Sequence, residues 1–98
     1  MSLESNWTVE IADGVSKKLK KLDTRDRERI IDFFSRIRKT SDPMGLGNVI
    51  VGSRKFRYRV GDYGIVCEIL NSHKIIRVID IGHRSEIYKN LLIFVNLL

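Results

Sequence analysis

The sequence predicts a single α+β domain in which two N-terminal helices pack on a small antiparallel sheet, in the order βααβββ with a further helix at the C-terminal end. Three observations predict it. Apolar residues recur at helical spacing from Val15 to Ile37, the period falls to two between residues 55 and 81, and 98 residues leave room for one core. Hydrophobic residues make up 43% of the chain and charged residues 31%, a globular balance unlike that of a disordered chain. Residues 1–98 are therefore read as one domain, with residues 1–3 set aside as a leader.

The elements follow in order. Trp7, Val9 and Ile11 alternate with Thr8 and Glu10, which predicts a short strand with its three apolar side chains inward. Val15, Leu19 and Leu22 then recur at four and three residues among Lys17, Lys18, Lys20 and Lys21, the pattern of a short amphipathic helix. Asp23 and Thr24 end it and can cap a second helix over 25–39. In that helix Ile30, Ile31, Phe33, Phe34 and Ile37 form the apolar stripe, and Arg27, Glu28, Arg29, Asp32, Arg36 and Arg38 are left to solvent. Pro43 disfavours helix at Asp42, and Gly45 and Gly47 open a loop to about Ser53, the segment expected to be mobile. Residues 55–60, 63–70 and 74–81, separated by turns at Gly61-Asp62 and Asn71-Ser72, read as a three-stranded meander. Ile87, Leu91, Phe94 and Leu98 return to helical spacing over 85–98. The apolar tail from Leu91 to Val95 either closes the core or offers a patch to a partner or a second copy.

Eighteen Lys and Arg against twelve Asp and Glu give a formal charge of +6, which favours polyanionic partners. The lone Cys67 rules out an intrachain disulfide, and with only His73 and His83 beside it there is no zinc-ligand spacing. No metal or other cofactor is expected, and a reducing cytoplasm fits best. The N-terminal residues lack the charged and apolar regions of a signal peptide, and no apolar run is long enough to cross a bilayer, so no membrane role is expected.

The charges are placed as well as numerous. Alternation puts Phe56, Tyr58 and Val60 on one face of the first meander strand and Lys55, Arg57 and Arg59 on the other. Such a face is either a solvated outer surface or a phosphate site. Arg77 interrupts an otherwise apolar strand and needs an anion, whether a ligand or a structural partner in Glu68 or Asp80. His83, Arg84 and Tyr88 cluster at the end of the last strand. His83 also reads as a turn residue and Tyr88 as a core aromatic. Cleavage of RNA through its own 2′-hydroxyl needs a base at that oxygen, positive charge at the phosphorane-like transition state and an acid at the leaving 5′-oxygen, with no metal. Arg84 suits the phosphate, Lys55 and Arg57 add positive field, and His83 or Tyr88 suits proton exchange or base stacking.

Two segments, KFRYRVGDYGIVCEI over residues 55–69 and IDIGHRSEIY over residues 79–88, resemble the RelE branch of the RelE/ParE superfamily of bacterial type II toxin–antitoxin systems. The likeness extends over nearly the whole chain. It implies a RelE-like fold whose basic concave face enters the ribosomal A site and cuts mRNA, and a cognate antitoxin that wraps the toxin in a hetero-oligomer. By the same resemblance the catalytic positions fall on Lys55, Arg57, Arg84 and Tyr88, with Arg59 as a further phosphate contact; the residues themselves add His83 to the catalytic set and Arg77, Lys74 and Arg54 to the RNA contacts. One position departs from the family pattern: Gly64 stands where an arginine usually follows the tyrosine of the Gly-Asp-Tyr turn. Loss of such a contact costs about 3 kcal/mol of transition-state stabilisation. Arg77, Arg59 and Lys74 are the candidates to compensate. The departure leaves two alternatives open, a ParE-like inhibitor of DNA gyrase and a binding protein of the same fold without catalysis.

Overall fold

The helices form where the apolar spacing and the caps agree. In the computed structural model, which describes residues 7–50 and 55–87, strand β1 (Thr8–Ile11) leads into helices α1 (Asp13–Lys21) and α2 (Thr24–Lys39). Asp23 starts α2 from an extended backbone, and its carboxylate accepts the Asp26 N–H at 2.9 Å. Arg36, Arg38 and Lys39 sit in the last turn, where cations offset the negative end of the helix dipole. Val15 and Leu19 of α1, and Ile30, Phe33, Phe34 and Ile37 of α2, are buried. Ile31 is 48% exposed, so the buried stripe of α2 is narrower than its periodicity predicts.

A 3-10 turn (Pro43–Leu46), a two-residue strand β2 (Asn48–Val49), and strands β3 (Lys55–Val60), β4 (Tyr63–Leu70) and β5 (Ile75–His83) follow. Within the predicted loop after Pro43, the turn and β2 are thus regular structure, with β2 pairing antiparallel to β3. Gly47 permits this, because a Cβ there would lie 2.7 Å from both the Arg57 carbonyl oxygen and the Tyr58 ring. Residues 84–87 are helical, which begins the predicted last helix; its remainder, including Leu91 to Val95, lies outside the described residues.

The sheet order is β1-β5-β4-β3-β2. The three-stranded meander is antiparallel, as its tight turns require, but β1 pairs parallel to β5. The sheet is therefore mixed where the sequence suggested a purely antiparallel one. Two helices and three further strands separate β1 from β5, and so long a connection allows either direction. As the outer strand of the sheet, β1 leaves Ile11, expected inward, 37% exposed.

Both helices lie on one face of the sheet and enclose the main core with Trp7, Tyr58, Ile65, Cys67, Ile76, Val78 and Ile81. Full burial of one such aliphatic side chain contributes about 1.5–3 kcal/mol. Tyr58 joins three elements: its ring meets Phe33 of α2 at 5.1 Å between centroids, and its hydroxyl donates to the Pro43 carbonyl at 2.7 Å. Burial pushes its phenol well above the ordinary range, and so do the charges of Cys67 and Asp42. The opposite face carries a smaller cluster of Ile50, Val66 and Ile87, with Ile79 packed against it.

A bulge in β5 links the two clusters. Val66 pairs with Asp80 and Cys67 with Val78, so Ile79 is the extra residue. It allows Val78 and Ile81, three positions apart, to face the same core, while Ile79 packs on the other side. Simple alternation would have placed Ile79 and Ile81 together.

Candidate nucleic-acid interface

Strand alternation determines which cations stand together. Lys55, Arg57 and Arg59 of β3 project from the sheet face opposite the helices, because Tyr58 and Val60 are committed to the main core. Arg57 and Arg59 are exposed and Lys55 is half-buried. The strand rises ~13 Å between Lys55 and Arg59, a span suited to successive phosphates of an extended strand. The outer face is not simply solvated: Ile87, from the helical turn after β5, is buried there against the Ile50 and Val66 cluster.

Three cross-strand rows organise this face. In the first, Lys55 lies opposite Glu68, Glu68 opposite Arg77, and Arg77 opposite Glu10, so charges alternate across four strands. Arg77 pairs with Glu10 at 3.2 Å and with Glu68 at 4.0 Å. Its structural explanation is thus present, with Glu68 as foreseen and Glu10 in addition. Asp80, the other foreseen partner, pairs instead with Lys18 of α1 at 2.5 Å. The second row holds Arg57 opposite Val66. The third holds Arg59, Gly64 and Gly82.

Arg84 stands at the rim beyond the third row. Its backbone N–H donates to the Asp62 carbonyl at 2.8 Å, and its Nη1 donates to the Gly61 carbonyl at 3.4 Å. Gly61 has φ of 59°, the left-handed conformation that this two-residue turn requires and that glycine adopts without strain. From the other side the Arg29 guanidinium lies 3.1–3.2 Å from where a Gly61 Cβ would stand. Two guanidinium groups, one from α2 and one from the end of β5, therefore converge on this turn.

His83 is not brought to this row. It pairs with Tyr63, which packs towards the helices, and the two rings meet edge to face at 5.9 Å. Its Nδ1 is 3.0 Å from the Ser85 Oγ. Tyr63 has its phenol raised by desolvation and by the carboxylates of Asp26, Asp23 and Asp62, so it is poorly placed to act as a base. Lys74, in the left-handed conformation, belongs to the β4–β5 turn at the far end of the sheet. Eight residues, roughly 26 Å of strand, separate it from Gly82, so it does not reach the row of Gly64. Of the three suggested compensating cations, only Arg59 shares that row. Tyr88 and Arg54 lie outside the described residues; the residue before Tyr88, Ile87, is anchored on the outer face.

The site also has a component that sequence reasoning assigned only to solvent. Arg29 and Arg36 of α2 line a groove of about 380 Å³ together with Arg59 and Gly61. Their spacing of seven residues, with Asp32 between them, marks one helix face, but nothing local shows that this face meets the end of β3. Among the described residues no group of three or more His, Cys, Asp or Glu side chains could hold a metal ion. Nor is any helix among them long and apolar enough to cross a membrane.

Comparison with known proteins gives the same fold. Residues 9–88 match the family described as the ParE toxin of the type II toxin–antitoxin system parDE. The toxin–antitoxin complex RelBE2 from Mycobacterium tuberculosis contains a chain that superposes with a TM-score of 0.73 at 21% identity, covering 84% of this chain and 95% of that one. For the archaeal RelE–RelB complex from Pyrococcus horikoshii the TM-score is 0.69 at 21% identity, with coverage of 83% and 98%. For the RelB–RelE complex from Methanococcus jannaschii it is 0.64 at 26% identity, with coverage of 83% and 96%. No curated protein sequence is significantly similar to the chain.

Proposed function

Because the chain belongs to the ParE toxin family of type II toxin–antitoxin systems, and so to the RelE/ParE superfamily, we propose that this toxin acts as a ribosome-dependent mRNA endoribonuclease. The observation that carries the reading is the run of cations on the outer face of β3, with Arg57 and Arg59 exposed and Arg84 at the rim. A phosphodiester laid along this face meets positive charge on both sides of a scissile bond, which favours the dianionic transition state over the monoanionic ground state. Lys55 and Arg57 supply field from the strand, Arg59 occupies the row of Gly64, and Arg84 holds a phosphate oxygen. Tyr88, which lies outside the described residues, is assigned proton transfer on the family resemblance alone. His83 is given no part in this reading, because it faces Tyr63. The chemistry uses the RNA's own 2′-hydroxyl and needs no metal.

The toxin acts in the cytoplasm on mRNA held by ribosomes, and a cognate antitoxin neutralises it by covering the basic face. The RelB complexes of its structural neighbours support such a partner. Primer extension on mRNA in programmed ribosomes tests the reading. The chain is expected to cut within the A-site codon, and Arg57→Ala and Arg84→Ala are expected to lose at least about a hundredfold in rate. Cutting that survives both substitutions would remove the proposed site.

The family match itself favours a second reading, inhibition of DNA gyrase without RNA cleavage. It predicts loss of supercoiling activity when purified gyrase is mixed with the chain, and no cut on ribosomes.

A further inference from the structure

We propose that the groove between α2 and the edge of β3 is a second RNA subsite, taking one nucleotide next to those bound on the outer face. The proposal rests on the RNA-directed reading above. Strand β2 pairs with β3 only at Phe56 and Arg57. From Tyr58 to Val60 the edge of β3 therefore has no neighbouring strand among the described residues, and α2 borders it instead. The groove there has a volume of about 380 Å³ and brings together Arg29, Asp32 and Arg36 of α2, Leu46, and Arg59 of β3.

Its charge is unbalanced. The lining holds three arginines and a single carboxylate, Asp32, and none of Arg29, Arg36 and Arg59 forms an ion pair among the described residues. Uncompensated arginines drawn from two elements raise the local potential and attract an anion. Arg59 belongs to both surfaces, since it stands in the outer-face row and lines the groove. Arg59 thus connects the two positive surfaces at the edge of β3.

The walls favour a nucleotide over a simple anion. The Arg36 guanidinium lies 5.8 Å from the Phe33 ring centroid, and Leu46 is 43% exposed at the groove. Guanidinium planes and apolar side chains are surfaces on which unstacked RNA bases rest, while Arg29, without an ion pair among the described residues, is placed to hold the phosphate. A bare phosphate would use only the charges, and an acidic peptide would gain little from the planar wall.

Fluorescence anisotropy with a labelled, 2′-O-methylated single-stranded RNA of about ten nucleotides, uncleavable by 2′-hydroxyl attack, tests the subsite over a range of salt concentrations. Arg29→Gln is expected to weaken binding about threefold to tenfold and to reduce the salt slope by about 0.7, one phosphate contact on a single strand. Asp32→Asn is expected to tighten binding by a similar factor, a gain that a folding defect does not produce. Wild-type affinity and slope in both variants would overturn the proposal even if ribosomal cleavage were intact. Failure of the wild-type chain to bind the RNA at low salt would overturn it as well. A response of both variants to a poly-glutamate peptide but not to RNA would overturn it in favour of a protein partner. RNA binding that follows the expected pattern without ribosomal cleavage would support the subsite and count against the nuclease reading alone.

Discussion

Arg59 stands directly opposite Gly64 across the β3–β4 pairing, and Gly82 continues the same row on β5. The one side chain in this row is therefore a guanidinium. In the nuclease reading it supplies, from the neighbouring strand, the cation that the family pattern places at the position of Gly64. Arg59→Ala is expected to slow single-turnover cleavage on ribosomes by about a hundredfold, in the range for loss of one transition-state donor. Thermal stability is expected to stay nearly unchanged, because the side chain is exposed. Wild-type cleavage by Arg59→Ala would show that this row holds no phosphate.

Arg77 gives the contrasting case. Its guanidinium is shared between Glu10 and Glu68 at partly exposed positions, and solvent screens such pairs. Arg77→Ala is expected to cost less than about 1 kcal/mol in urea denaturation and to leave cleavage within about threefold of wild type. A loss like that expected for Arg57→Ala would move Arg77 into the RNA site.

Tyr58 is a structural hub. Tyr58→Phe keeps the ring contact with Phe33 but leaves the Pro43 carbonyl without its donor. The expected loss is about 1–2 kcal/mol in equilibrium unfolding, with the denaturant slope unchanged. A neutral result would mean that the 3-10 turn is held by its other contacts.

Alkaline pH should destabilise the fold through buried acids. Burial pushes the Cys67 thiol from its ordinary value near 9 up to about 12. The native state therefore keeps a proton that the unfolded chain releases above pH 9. The associated stability is fully present below pH 9 and declines as the pH rises towards 12, by about 1.4 kcal/mol per pH unit for each such group. Tyr58, also raised, contributes in the same direction. Unfolding free energies measured from pH 8 to 11 should fall less steeply in Cys67→Ala than in the wild type, and parallel curves would show that the thiol is not the group responsible.

Much of the molecule was legible from local pattern. The stripe of Val15 and Leu19, the Asp23 cap, the Gly61-Asp62 turn and the grouping of Lys55, Arg57 and Arg59 on one face all follow from spacings of a few residues. Backbone geometry sets such spacings whatever the rest of the chain does. The partners of Arg77 were half legible: Glu68 lies on the adjacent meander strand, whereas Glu10 becomes its neighbour only because β1 docks beside β5.

The sequence by itself determined the order of the elements, the residues available for the core and the β3 row of cations. Only the tertiary structure decided the parallel placement of β1, the bulge at Ile79, the turning of His83 towards Tyr63, and the meeting of Arg29 and Arg36 with Arg59. Each of these joins segments distant in the chain, where the choice is made by how apolar surfaces fill a shared core. The bulge shows the reason most directly. One extra residue changes which face every later β5 side chain occupies, and the packing of Val78 and Ile81 under the helices selects it.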